Sequence, residues 1–199
     1  MNILTDDIIV NAKEMELEDV KDVINSVLLD IDRSGIDNLI DFLEFSDYYD
    51  APASTRIDYH GAYEHGLMIH SYNVWQLFRQ KVRNFNLDIN EQSAAICGLF
   101  HDACKINLYI PNELKSGEVS KAKPYVINEN FPIGHGEKSL YTLSRYIQLT
   151  NQEALIIRWH MTGFDPAWDH YEQYRKIEKA IPEITAFHCA DIEASKYLD

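Results

Sequence analysis

Apolar positions recur at helical spacing along most of this chain. Leu17, Val20, Ile24, Val27, Leu28 and Ile31 line one face of a helix over 16–33, with Gly35 as its stop. Leu39, Ile40 and Leu43, with Phe42 and Phe45, predict a second helix over 37–46. Residues 65–84 and 91–104 read as a third and a fourth, the latter capped by Asn90. Between them, 48–63 carries Pro52, Ser54, Thr55 and Gly61 and reads as a loop. Pro111, Gly117, Pro124, Pro132 and Gly134 make 105–134 an irregular excursion, within which Tyr125-Val126-Ile127 predicts a short strand, as in a small hairpin. Helical periodicity resumes over about 135–149, 151–161, 170–180 and 182–197. The expected fold is all-α, a helical bundle with one long irregular insertion.

A chain of 199 residues suits one domain with a real core. Residues 1–50 are expected to form a helical extension packed on a core of 51–199. Eight glycines and six prolines are few, which agrees with helices. The charge of −14 is unevenly placed: residues 1–60 hold 15 acids against 4 bases, and the remainder 17 against 14. Such acidity disfavours duplex nucleic acid, whose binding relies on basic surface. A small phosphorylated substrate needs only local bases, and Lys105, Lys115, Lys121, Lys123 and Lys138 lie in or beside the excursion. Cys97, Cys104 and Cys189 form no CxxC and no disulfide framework, which suits a reducing cytosol. The start, Met1 to Asp7, lacks the pattern of a signal peptide, and no apolar run approaches the ~20 residues of a membrane span. The expected location is cytoplasmic, away from membranes.

Candidate chemistry changes this picture at His101-Asp102, which closes the apolar run Ala94–Phe100. Two ligating groups at the end of a buried helix need a partner, and a divalent ion is one. His70, His135, His160, His188 and Asp191 stand where they could complete its coordination. The helical neighbours of His70 include Leu67 and Val74, so it faces the core. Asp191 lies among small and apolar residues, with His188 three positions earlier on the same face. His135 sits between Gly134 and Gly136 at a helix start, and His160 ends the run Ala154–Trp159. Each residue alone has an ordinary reading as a hydrogen-bonded core histidine, a cap or a loop side chain. One ion accounts for them together. Imidazoles and carboxylates suit Mn, Fe, Co, Ni, Zn or Mg, and the nearby Cys104 thiol is not required.

The order H…HD…H…H…D resembles that of the HD-domain superfamily of metal-dependent phosphohydrolases, over about residues 60–195. The segment His60 to His70 is similar to the HHAY..GGLLEH segment of HD hydrolases that include 3′–5′ exoribonucleases, with His65 in place of its first glycine. His101 to Ile106 is similar to the family's HDxxKI run. The resemblance implies an HD-domain helical bundle and one ion on His70, His101, Asp102 and Asp191. It also implies a second ion on His135 and His160, bridged by Asp102. The implied activity is hydrolysis of a nucleotide or another small phosphate ester or phosphodiester by metal-activated water. Lys105 is then a phosphate contact, and His60 or His65 a proton donor to the leaving oxygen. A di-iron oxygenase of the same fold and a non-catalytic ligand-sensing domain stay open as alternatives. Lys121, Lys123, Tyr125 and Asn128 are weaker candidates for substrate contact, and Trp75, Trp159 and Trp168 read as packing.

Overall fold

The computed structural model of the chain describes residues 9–162 and 171–199. It is mostly helical. The helices are α1 (Leu17–Leu29), α2 (Ile36–Phe45), α3 (Gly66–Phe85), α4 (Glu91–Phe100), α5 (His135–Ser144), α6 (Asn151–Trp159), α7 (Tyr171–Ala180) and α8 (Glu183–Tyr197). Two strands, β1 (Tyr109–Pro111) and β2 (Tyr125–Ile127), pair antiparallel with Tyr109 opposite Ile127. The strand expected at 125–127 is β2; its partner had no pattern to announce it. Among the described residues, no helix is long and apolar enough to cross a membrane.

Helix α3 is the axis of the fold. Every residue from Gly66 to Arg79 is buried, including His70, Ser71 and Asn73. A helix buried on all sides must be wrapped by others. Here α4 and α8 flank it, while α1 and the 3-10 turn Ala12–Glu14 cover another side. One apolar cluster runs from Ala12 through Ile24, Trp75, Phe100 and Ile156 to Ala194. The α1–α2 region is also tied to α6 by charge. Arg33, in the connection after α1, grips the buried Glu153 carboxylate with two hydrogen bonds of 2.7 and 2.9 Å. Glu153 also completes a capping box with Thr150 that starts α6.

Two local departures from simple periodicity matter. Gly35 does not stop a long first helix, which already ends at Leu29. With φ +88° it is instead the residue that turns the chain into α2. The helix expected over 91–104 also ends early, at Phe100. His101 keeps helical angles, Asp102 leaves them at φ −99°, ψ 21°, and a 3-10 turn follows over Ala103–Lys105. Neighbours on a regular helix point about 100° apart. The break lets His101 and Asp102 face the same point.

Glycines set the closest helix approaches. A Cβ on Gly98 of α4 would sit 2.5 Å from the Trp75 Cα of α3, and one on Gly136 of α5 would strike the Arg158 carbonyl of α6. We expect Gly98→Ala to cost about 1–3 kcal/mol, the usual penalty for overpacking. Urea unfolding monitored by circular dichroism measures it. A loss below about 0.3 kcal/mol would mean that α3 and α4 can separate freely.

Candidate metal centre

The Asp102 carboxylate is the hub of the site. Its Oδ1 lies 2.7 Å from His135 Nε2 and 3.7 Å from His160 Nε2. Its Oδ2 lies 2.7 Å from Lys105 Nζ, 3.5 Å from His101 Nε2 and 3.6 Å from His70 Nε2. Asp191 reaches in from α8, with Oδ1 3.2 Å from His70 Nε2 and 4.0 Å from His101 Nε2. The two imidazoles of His70 and His101 meet Nε2 to Nε2 at 3.2 Å. Helices α3, α4, α5, α6 and α8 therefore each supply a donor or bring one to their boundary. His70, His101, Asp102 and His160 are buried, whereas the His135 side chain is 36% exposed.

Backbone carbonyls orient two of the rings. His101 Nδ1 donates to the Gly98 carbonyl at 3.0 Å, and His160 Nδ1 donates to the Ile157 carbonyl at 2.7 Å. Both partners lie three residues back, where a helix end leaves carbonyls unsatisfied. A neutral imidazole that donates from Nδ1 carries its lone pair on Nε2. Both lone pairs therefore belong to the inward nitrogens. His160 Nε2 is buried and has no hydrogen-bond partner, since 3.7 Å to Asp102 is too long for one. A buried acceptor left bare calls for an electrophile. Among the described residues, four overlapping groups have donor atoms within 4.8 Å of one another: His60, His70 and Asp199; His70, His101 and Asp191; His101, Asp102 and His160; and Asp102, Cys104 and His135. Together they could hold a metal ion.

Charge in the centre is closely matched. Burial opposes a charged His70, but the Asp191 and Asp199 carboxylates outweigh it and bring its pKa up to about 10. Burial alone dominates at His101 and drives it down to about 3. Asp102 is buried as well, yet Lys105 beside it holds its carboxyl well below the usual range. Asp191 is likewise depressed against its burial, chiefly by the His70 hydrogen bond.

The structure thus brings together His70, His101, Asp102, His135, His160 and Asp191, six of the seven candidate donors. A cleft of about 290 Å³ opens beside them, lined by Asp102, Lys105, His135, Asp191, His60 and Tyr109 among others. His60 stacks on His70 with ring centroids 4.6 Å apart, and its Nε2 is buried without a partner. Burial lowers its pKa to about 4, so the ring is neutral at pH 7, which counts against an acid role. His65 is not brought into the cleft. Its φ of 68° is the left-handed conformation that glycine reaches without penalty. Its Nδ1 is 2.9 Å from the Tyr49 carbonyl and 3.3 Å from Asp50. A side chain that anchors the start of α3 in this way is turned from the reacting region.

His188 also stays out of the cluster. Its Nδ1 reaches the His160 carbonyl at 2.8 Å, so it supports the backbone of a candidate ligand instead of joining it. Lys105 lines the cleft, but its ammonium is engaged with Asp102. Of the β1–β2 ribbon, Tyr109 and Ile127 reach the cleft; the lysines at 121 and 123 stay exposed. Trp75 and Trp159 are buried packing residues, and Trp168 lies outside the described residues. The residue that sequence reasoning missed is Asp199, whose carboxylate sits 2.6 Å from His70 Nδ1 and is 1% exposed. No motif spacing marks it. No family model, no curated protein and no solved structure matches the chain.

His70 gives the centre a pH signature. Its folded pKa lies above the roughly 6.5 of an unfolded histidine. Its contribution to metal-free stability is therefore full below about pH 6.5 and lost as pH rises towards about 10. Metal binding needs the deprotonated ring, so affinity should rise through the same window. Thermal melts of chelator-treated and Zn²⁺-loaded protein from pH 6.5 to 9.5 should show a widening gap. A gap that stays constant would take His70 out of the centre.

Proposed function

We propose that the chain is a metal-dependent phosphohydrolase of the HD-domain type. One observation carries the reading: six imidazole and carboxylate donors from five helices converge on a largely buried point, one of them a bare nitrogen. Their chemistry suits a divalent ion of intermediate hardness, with no thiolate required. His70, His101, Asp102 and Asp191 would hold one ion. His135 and His160 would hold a second, with Asp102 shared. When bound, such ions supply hydroxide at neutral pH and offset charge on phosphoryl oxygens.

The chain's own groups then have defined tasks. Asp102 is fixed from both sides, by His135 on Oδ1 and Lys105 on Oδ2. Lys105 uses one N–H on Asp102 and has two more to give. From the cleft wall these can take a phosphoryl oxygen, in a charge-assisted bond. A cleft of about 290 Å³ admits a small group and no duplex. Tyr109 and the exposed Tyr59 give its mouth flat, amphipathic walls that suit the organic part of a small phosphate ester or a nucleotide.

The test is turnover of a panel of phosphomonoesters and phosphodiesters by protein loaded with Mn, Fe, Co, Ni, Zn or Mg. We expect metal-dependent release of phosphate or alcohol from at least one, abolished in Asp102→Asn. Iron retention with dioxygen consumption and no phosphate release would instead support an oxygenase. Bound metal without any turnover would support a sensing role.

Lys105→Ala separates charge from ligation. It should keep its metal content and lose about 1–3 kcal/mol in kcat/KM, or roughly 5- to 150-fold, as for a lost charge-assisted contact. Metal analysis and kinetics on the same preparation decide it. Lost metal would assign the lysine to holding Asp102, and unchanged kinetics would remove it from the substrate.

A further inference from the structure

The inner ligand His70 differs from His101 and His160 in what holds its second nitrogen. Those two rings lean on carbonyls of their own helices. His70 Nδ1 instead meets the carboxylate of Asp199, two residues beyond α8 and 129 positions along the chain. The pair is sealed: His70 is fully buried and the Asp199 side chain is 1% exposed. Asp199 is itself fixed. Its Oδ1 accepts from Asn73 Nδ2 at 3.0 Å, one helical turn beyond His70 on α3. Asn73 Oδ1 accepts from the Ala12 backbone at 2.9 Å, and Asn11 Nδ2 donates to the Leu198 carbonyl at 3.1 Å. Three distant segments thus close over one carboxylate.

We infer that Asp199 is a positioning residue of the metal centre: it accepts the His70 Nδ1–H, fixes the tautomer and aims Nε2 at the ion. The inference rests on the metal reading above. A carboxylate behind a ligating imidazole orients the ring and makes it a better donor, and loss of such a partner commonly costs 10- to 100-fold in metal affinity. The arrangement needs a carboxylate specifically. Asp199 faces two donors, His70 Nδ1–H and Asn73 Nδ2–H, with two acceptor oxygens. An amide offers one acceptor oxygen and turns an N–H toward one of those donors.

The test uses the full chain, wild type and Asp199→Asn, with Zn²⁺ affinity measured by competition against a chromophoric chelator. We expect binding 10- to 100-fold weaker in Asp199→Asn, together with a changed visible spectrum of the Co²⁺-loaded protein. Melting in chelator provides the structural control. A lower melting temperature with unchanged Zn²⁺ affinity and Co²⁺ spectrum would overturn the inference and leave the metal reading standing. Wild-type protein that binds no divalent ion would overturn both. Should Asp199→Asn fail to fold, long-range ¹H–¹⁵N spectra of Zn²⁺-loaded wild type decide the matter. His70 must show a protonated Nδ1 and a ligated Nε2, and the reverse pattern overturns the inference.

Discussion

The structure turns on the burial of one carboxylate. Asp102 is 4% exposed and sits among four imidazoles and an ammonium. An ionised group that deep is tolerated only when its surroundings answer its charge. Most other features of the fold serve that condition. The break after Phe100 turns Asp102 inward. The close seat of α5 on α6, through Gly136, puts His135 beside it. The burial of α3 from Gly66 to Arg79 delivers His70 from the opposite side.

Much of this was legible in the sequence because burial has a period. Among the described residues, all eight helices stand near the ranges that apolar spacing marks, and six of the seven candidate donors lie close together. Three things were not legible, for physical reasons. A helix break of two residues does not disturb the 3.6-residue pattern, so the region 91–104 reads as continuous. Tyr109-Ile110-Pro111 is too short to alternate visibly, and it exists as a strand because Tyr125–Ile127 pairs with it. Asp199 lies just past a helix end, where no periodicity or motif marks it. Its burial depends on Asn73 and Asn11, far away in the chain. Periodicity reports which face is covered; it carries no information on which polar groups meet beneath it.

The histidines show how one residue type takes different work from its surroundings. His101 and His160 expose lone pairs inward because carbonyls claim their outer nitrogens. His65 serves the turn into α3, and His188 supports the backbone at His160. His60 lies against His70 as a neutral ring. Identity and spacing alone cannot separate these roles, because the second nitrogen of each ring decides them.

The tie between His70 and Asp199 spans 129 residues, and the Arg33–Glu153 pair spans 120. Such closures make opening costly to confine. If α8 lifts away, Asp191 and Asp199 leave together, and α3 loses the flank that seals it. The site and the scaffold therefore belong to one cooperative unit. Amide protons of α3 and α8 should accordingly exchange with solvent through the same event, at a rate set by global unfolding and not by local breathing of the cleft.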